Sequence, residues 1–479
     1  MIPLPAMDLR VLAPEISVAG AAVALLALDL LLRRGQRALL RWAALGAVAV
    51  ALGVTLTSVR GAFPEEGGMF VRDGITQLFE VALLLGLGIA ILLGADYLPR
   101  FQLERGEYYA LLFASALGAM IMAGSRDFLL LFLGLEALSI PLYVLAGFAR
   151  RSPRSLEAGM KYFLLGAFSS AFFLYGVALV YGAAGTMRLD ALSAVPGRGG
   201  DLLLLGGMAL LTIGLGFKAA AVPFHFWAPD VYEGAPLPVT AFMSVVAKLG
   251  AFAGILRVFP LSLGFLAFRW IPVLAGIAAA TMVLGNVVAL LQGNFKRLMA
   301  YSSIAHAGYA LVGVASGTPA GLWSTAFYLV NYLFMTLGAF AVVGPLVREG
   351  AEADLIEDYA GIGARRPLLG AAMALFMASL AGIPPTGGFM AKLYIFTAAV
   401  QGGQVWLAVL GVLTSVVSVS YYMRVAYVLF TGEVRPDVQA NPSALASLAV
   451  ALAAAAVLLL GIFPAPVLSV VQRVANLLL

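Results

Sequence analysis

The chain has 479 residues and no cysteine, which excludes thiolate zinc sites, cysteine-ligated iron–sulfur clusters, disulfides and thiol redox chemistry within it. Histidine is nearly missing. His225 and His306 stand far apart, too few for a histidine metal cage or a haem bundle. Charge is scarce as well: charged residues make up 11% of the chain, about half or less of what soluble domains carry. An ordinary water-soluble globule is excluded. The net charge is +5, but the basic residues sit in short loops beside apolar runs, where they set topology rather than bind nucleic acid. Lysine is the rarest charge of all, with five copies against 24 arginines.

What fills the chain is apolar: 62% of residues are hydrophobic, and each membrane pass needs about 20 such residues. The apolar runs are continuous rather than alternating every second residue, so a β-barrel is excluded. The expected fold is all-α, a polytopic membrane protein of about fourteen transmembrane helices. Apolar stretches bounded by charge or by Gly and Pro place them at residues 12–32, 39–59, 75–98, 108–125, 128–149, 157–182, 202–222, 238–259, 270–292, 298–316, 320–346, 367–402 in two pieces, 404–430 and 443–464. The mixed-charge stretch 348–366 reads as a loop, and no soluble domain is large enough to bury its own core.

Arg33, Arg34, Arg37 and Arg41 follow the first span, which the positive-inside rule reads as cytoplasmic, leaving the N-terminus outside. Because the charges follow that span rather than precede it, the helix is expected to be retained and not cleaved as a signal peptide. Alternation then gives cytoplasmic loops carrying Arg100 and Arg105; Arg150, Arg151 and Arg154; Lys296 and Arg297; Arg348, Arg365 and Arg366; and Arg435. Counting the first cluster, these total 15, against 7 on the other face at Arg60, Arg72, Arg126, Arg188, Arg198, Arg257 and Arg269. An even number of helices with both termini outside follows. One loop dissents: residues 224–237 should be cytoplasmic yet carry Asp230 and Glu233 and no basic residue.

Arginine marks the loops, whereas four of the five lysines lie in apolar sequence: Lys161 in AGMKYFLLGAF, Lys218 in LGFKAAAVPFHFW, Lys248 in SVVAKLGAFAG and Lys392 in GIPPTGGFMAKLYIF. Only Lys296, beside Arg297, reads as a loop residue. A charged group at a helix centre costs about 2.5–3.5 kcal/mol even on lenient insertion scales, so it should face a wet cavity or a partner. Burial lowers a lysine pKa and raises that of a carboxylate, bringing both towards proton exchange at neutral pH; arginine could not serve. Glu136, in FLLLFLGLEALSIPLYVLAG, is the acidic counterpart. Two readings stand beside each other: a proton relay, or a neutral acid or helix-locking ion pair for Glu136 and snorkelling lysines, most plausibly Lys161 near its helix start. For His306, relay and packing are both open, as they are for His225 next to Phe226 and Trp227. Glu15, Asp29 and Glu80, near helix ends or on flanking helices, read as structural.

Two spans are interrupted, one in AAAVPFHFWAPDVYEGAPLP after Lys218 and one in SLAGIPPTGGFMAK before Lys392. Broken helices at membrane depth are tolerated where the freed backbone lines a cavity or packs in protein, and paired breaks in two halves point to a transport site. LSIPLYVLAGF at 138–148 and SSIAHAGYALVG at 302–313 echo each other weakly. Five helices per repeat force the second copy to be inverted. The expected division is an N-terminal three-helix segment at 1–107, a first inverted repeat at 108–262, a second at 263–433 and a C-terminal helix within 434–479.

Taken together, GLEALSIPLYVLAGF, AGMKYFLLGAFSSAFFLYG, GFKAAAVPFHFWAPDVYEGAPLPVTAF, MAYSSIAHAGYALVG and AGIPPTGGFMAKLYIF resemble the antiporter-like subunits of respiratory NADH:quinone oxidoreductase (complex I) over roughly residues 75–430. Within that family the resemblance is to the subunit N branch, relatives of mitochondrial NADH dehydrogenase subunit 2. It implies fourteen helices, inverted five-helix repeats broken at helices seven and twelve, and proton translocation driven by quinone reduction elsewhere in the complex. By the same resemblance Glu136 matches the fifth-helix glutamate, Lys218 the seventh-helix lysine, Lys248 the eighth-helix lysine and Lys392 the twelfth-helix lysine, with Lys161, His225 and His306 at further polar positions. No cofactor is expected in this chain; NADH, flavin, iron–sulfur clusters and quinone belong to partner subunits. The expected neighbours are the antiporter-like subunit M and small subunits such as K and J, with lipid around them, in the bacterial cytoplasmic (inner) membrane. Subunit M carries glutamate where this chain has Lys392, and subunit L has a long lateral helix absent here. A sodium/proton antiporter subunit of the Mrp type, or a stand-alone cation/proton antiporter, is the alternative.

Overall fold

A computed structural model describes residues 10–58, 68–192, 202–348, 351–433, 437–440 and 442–476. Arg60, Arg198, Arg435 and both chain ends lie outside the described residues. The helices are α1 (Ala13–Leu31), α2 (Ala38–Thr57), α3 (Gly74–Arg100), α4 (Gly106–Gly124), α5 (Phe128–Ala146), α6 (Pro153–Ala184), α7 (Leu202–Ala219), α8 (Trp227–Gly234) and α9 (Leu237–Leu256). They continue as α10 (Ala267–Ala289), α11 (Phe295–Ala315), α12 (Pro319–Val343), α13 (Ile362–Arg365), α14 (Pro367–Ala381), α15 (Gly387–Gln401), α16 (Val405–Phe430), α17 (Ala444–Ile462) and α18 (Ala465–Asn476). Thirteen described helices are long and apolar enough to cross a membrane. The remaining expected crossing, 367–402, is made by α14 and α15, each too short alone.

Helix starts are written in short polar side chains. Asp73, Asp127, Asn294, Thr318 and Ser443 each accept a hydrogen bond from a backbone N–H of the first turn, filling donors that a helix N-terminus otherwise leaves open. Burial then sorts the helices. α9, α11 and α12 are enclosed by protein almost all round, whereas α1, α2, α6 and α17 bury one stripe and turn the rest outward. A helix apolar on every side can hide in the middle of a bundle; one with large apolar residues left bare, such as Phe163, Phe168 and Phe172 on α6, suits a lipid boundary.

Four expectations are corrected. Residues 224–237 are not a plain loop: they contain α8, and its unpaired acids find their bases in space, Asp230 with Lys161 and Arg297, Glu233 with Arg297. That pairing explains the dissenting charge count. The stretch 348–366 is not a bare loop, because β1 (Leu346–Arg348), β2 (Ala351–Glu352) and β3 (Val438–Ala440) form an antiparallel sheet in the order β2-β1-β3. The C-terminal region holds a second helix, α18, packed on α12 and α3. Lys296 is not a loop residue but 3% exposed, held by Glu352 and Asp354.

Glu15 and Glu80 do have a structural duty: both clasp Arg72, which is buried with them and ties α1 to α3. Arg257 likewise pairs with Asp73 and ties the end of α9 to the start of α3.

Candidate functional site

The two interrupted spans deliver the lysines. α7 stops at Ala219, the chain turns through residues 220–226, and α8 resumes; α14 stops at Ala381, and α15 begins at Gly387 after the five residues 382–386. Gly382 closes α14 in the left-handed region at φ 87°, where a side chain would be strained. A helix that ends at membrane depth exposes carbonyls which nothing in hydrocarbon can satisfy. Here ammonium groups satisfy them. Lys248 on α9 donates to the carbonyl of Ala219 at 2.9 Å, and Lys392 on α15 donates to those of Leu380 and Ala381 at 3.1 and 2.9 Å. The carbonyl end of a helix carries partial negative charge, so each cation sits where the backbone favours it.

Lys218, in the last turn of α7, is also buried. Its Nζ donates to the Tyr162 hydroxyl at 3.4 Å and lies 4.9 Å from the rings of both Tyr143 and Tyr162. Tyr162 in turn stacks on Trp227 at 4.4 Å, and the Trp227 indole N–H donates to the Phe217 carbonyl. Aromatic faces thus stabilise a cation that no carboxylate among the described residues touches. The expected partner, Glu136 on α5, accepts a hydrogen bond from Ser170 on α6. Glu136 acts on Lys218 electrostatically without an ion-pair contact.

Between Lys248 and Lys392 the polar atoms run on. Lys248 Nζ is 6.0 Å from the Tyr332 ring, and Tyr332 donates to Ser303, which also bonds Tyr232 at 3.1 Å. His306, on the same helix as Ser303, bonds Tyr328 through Nδ1 at 2.5 Å and Tyr422 through Nε2 at 3.1 Å. Tyr422 also bonds Ser302 at 2.5 Å. Beyond it Lys392 Nζ lies 4.7 Å from the ring of Tyr309, whose hydroxyl meets Asn286 and Thr414. Hydroxyls and imidazole both donate and accept, so a row of them can pass a proton in either direction.

The structure therefore brings together Lys218, Lys248, Lys392 and His306, with Glu136 at one end. It leaves two residues aside. Lys161 is the exception among the four lysines of apolar sequence: its side chain is 42% exposed and paired with Glu157 and Asp230. His225 is buried within the α7–α8 break, its ring against Phe226 and its Nδ1 without a partner among the described residues. What the sequence reading overlooked is the set of tyrosines and serines around the cations. The spacing of Tyr328 and Tyr332, one helical turn apart, and of Ser302, Ser303 and His306 could have marked one polar stripe on α12 and one on α11.

Fold and site together define a class: a multi-pass membrane protein with two broken helices that hold unpaired ammonium groups at their carbonyl ends. Comparison with known proteins then sets the family. The model of the NADH:quinone oxidoreductase/Mrp antiporter transmembrane family matches residues 125–418, more than half of the chain. NADH-quinone oxidoreductase subunit N of Trichlorobacter lovleyi is 43% identical over 477 residues, 98% of each chain. A chain of respiratory complex I from Thermus thermophilus, solved with bound aureothin, is 38% identical with a TM-score of 0.83, covering 95% of this chain and 98% of that one. A chain of the Mrp complex from Dietzia sp. superposes with a TM-score of 0.85 over 98% of both chains, but at 23% identity it shows the fold alone. The chain belongs to the NADH-quinone oxidoreductase subunit N family, within the wider antiporter-like group.

Proposed function

We propose that this chain is a proton-translocating, antiporter-like membrane subunit of an NADH:quinone oxidoreductase, in which Glu136, Lys218, Lys248, His306 and Lys392 carry protons across the membrane. The observation that carries this reading is the row of buried cations without carboxylate contacts, held by carbonyl oxygens and tyrosines. A lysine locked into an ion pair keeps its proton; one held only by weaker acceptors in a low-dielectric surrounding exchanges it near neutral pH. Glu136 adds the control. Moved against Lys218, its charge favours the ammonium; held away by Ser170, it lets the proton leave. Moving one charge against 100 mV costs about 2.3 kcal/mol, comparable with a pKa change of roughly two units.

The chain has no redox role in this reading: NADH, flavin, iron–sulfur clusters and quinone sit on partner subunits, and quinone reduction drives the relay from there. Its neighbours are antiporter-like subunit M and the small subunits K and J, in the bacterial inner membrane, with both termini on the outer face and Lys392 releasing protons outward. Lys161 and His225, set apart from the row, tune it at most. The Mrp-type alternative is not favoured, since the relatives of high identity are oxidoreductase subunits. The test is NADH-driven proton pumping by the reconstituted complex carrying Glu136→Gln or Lys218→Ala, with assembly checked by blue-native separation. Both variants should assemble and lose most of the protons pumped per NADH oxidised; unaltered pumping in assembled complex would overturn the reading.

A further inference from the structure

A cavity of about 660 Å³ opens at the end of the bundle where the arginine-rich loops gather, within the roughly 300–1,000 Å³ that small-molecule sites occupy. Four guanidiniums line it: Arg105 before α4, Arg150 and Arg151 after α5, and Arg154 in the first turn of α6. All four are exposed, and none meets a carboxylate among the described residues. Other arginines of the loops are treated differently. Arg37, Arg41, Arg297 and Arg348 each pair with an acid. Setting topology asks only that arginines stand near helix ends; it does not ask that four of them converge on one hollow, where like charges repel.

The acids of the lining do not balance them. Glu233, on α8, is held by Arg297. On the floor Lys296 faces both Glu352 and Asp354, which leaves one carboxylate there uncompensated, and Glu107 on α4 is the other. With four guanidiniums against these two acids, the lining keeps a surplus of two positive charges. The first turns of α4 and α6 open on the same wall, at Glu107 and at Ser155, and the N-terminal end of a helix adds partial positive charge. Phe101, Leu103 and Phe148 give the wall an apolar part.

We propose that this cavity binds a ligand carrying two phosphate groups, held by Arg105, Arg150, Arg151 and Arg154. The residue type sets the chemistry: a guanidinium presents paired N–H donors that match two phosphate oxygens at once, and two phosphates cancel the surplus charge. The concave wall suits a small anion rather than the face of another protein. Two sources supply such a group. One is a soluble pyrophosphate compound entering from the water. The other is the headgroup of an acidic phospholipid, of the kind basic pockets between membrane helices take; its chains would meet Leu156, Met160 and Phe163, which are 50%, 59% and 50% exposed along α6 beyond Arg154. Either ligand would tie the end of α5 to the start of α6, the two helices that bring Tyr143 and Tyr162 to Lys218.

The absence of native cysteine in this chain gives the experiment. Ala149, half-buried on the cavity wall beside Arg150, is replaced by cysteine, which removes no side-chain charge or hydrogen bond. The whole complex, washed in detergent, is alkylated with N-ethylmaleimide, and the rate is read by mass spectrometry on this chain's own peptide. The probes are inorganic pyrophosphate, micelles doped with cardiolipin and micelles doped with phosphatidylcholine. A probe at about twice its dissociation constant fills roughly two-thirds of the sites, so alkylation of Ala149→Cys should slow at least about threefold. Slowing by cardiolipin identifies the lipid source, slowing by pyrophosphate the soluble one, and slowing by both the shared chemistry. Phosphatidylcholine should have no effect, and Ala149→Cys combined with Arg150→Gln and Arg151→Gln should react at the full rate with every probe. The site is overturned if neither phosphate probe slows the reaction, if the slowing survives loss of the two arginines, or if the thiol is closed to the reagent in both backgrounds.

Discussion

An ammonium group buried without a carboxylate is worth little to stability, since burial of the charge costs more than a carbonyl or a tyrosine face returns. Lys218, Lys248 and Lys392 share that condition, and this separates a transport role from a structural one. Lys248→Arg makes the distinction measurable: arginine keeps the charge and reaches the Ala219 carbonyl but never gives up its proton. Proton pumping by the assembled complex should drop about a hundredfold, the low end of what a proton-transfer group contributes; pumping at the parental rate would make Lys248 a mere anchor. Asp354 offers a second reading at this scale. Burial raises its carboxyl from 3.8 to about 6, so the stability gained by keeping it protonated is complete below about pH 4 and lost as the pH rises through 6. Infrared difference spectra of the complex should show a protonated carboxyl band with a midpoint near pH 6 that disappears in Asp354→Asn. The lysines were legible in sequence because an ionisable residue in an apolar run has no ordinary explanation. Tyr162, Tyr328 and Tyr332 were not, because tyrosine is also a routine core residue whose hydroxyl reveals its partner only in space.

At the scale of elements, the interruptions were readable and their neighbours were not. Pro and Gly in GIPPTGG announce a break wherever they fall in an apolar run, and α14 and α15 meet there. The eight residues of α8 fall in a stretch read as a loop that carries Asp230 and Glu233 and no basic residue, and the partners of those acids, Lys161 and Arg297, come from distant helices. The sheet of β1 to β3 was invisible for a similar reason, since β1 and β3 lie about ninety residues apart. Two predictions belong here. A methyl at Gly388 would overlap the Ser379 carbonyl oxygen, which cannot move without unwinding the end of α14. Gly388→Ala should therefore displace Lys392 and cost about 1–3 kcal/mol, seen as a lowered melting temperature together with impaired pumping. Arg72→Met should cost about 3–5 kcal/mol by leaving Glu15 and Glu80 buried without their cation, and loosened packing of α1 against α3 should appear as faster proteolysis of the N-terminal segment.

For the whole molecule the two broken helices make one design used twice: an ammonium on the next helix or half-helix, seated on the carbonyls where the first half ends, with aromatic rings around it. Five helices in each copy turn the second upside down relative to the first, so one break can open towards one face of the membrane and the other towards the opposite face, as alternating proton access requires. The arginine distribution assigns those faces. Arg105, Arg150, Arg151 and Arg154 all line the one cavity, at the end where Asp29 meets Gly106 and Arg41 meets Glu104. Gln401, exposed at the end of α15, lies at the other end, next to Gly402, which packs against Ser316 at the close of α11. The positive-inside rule predicts a cytoplasmic arginine end. Arg151→Cys and Gln401→Cys, each the single thiol of this chain, should then react with a membrane-impermeant maleimide from opposite sides: Gln401→Cys in right-side-out vesicles and Arg151→Cys in inside-out ones. The reverse pattern would invert the molecule and place the arginine-lined cavity on the outer face.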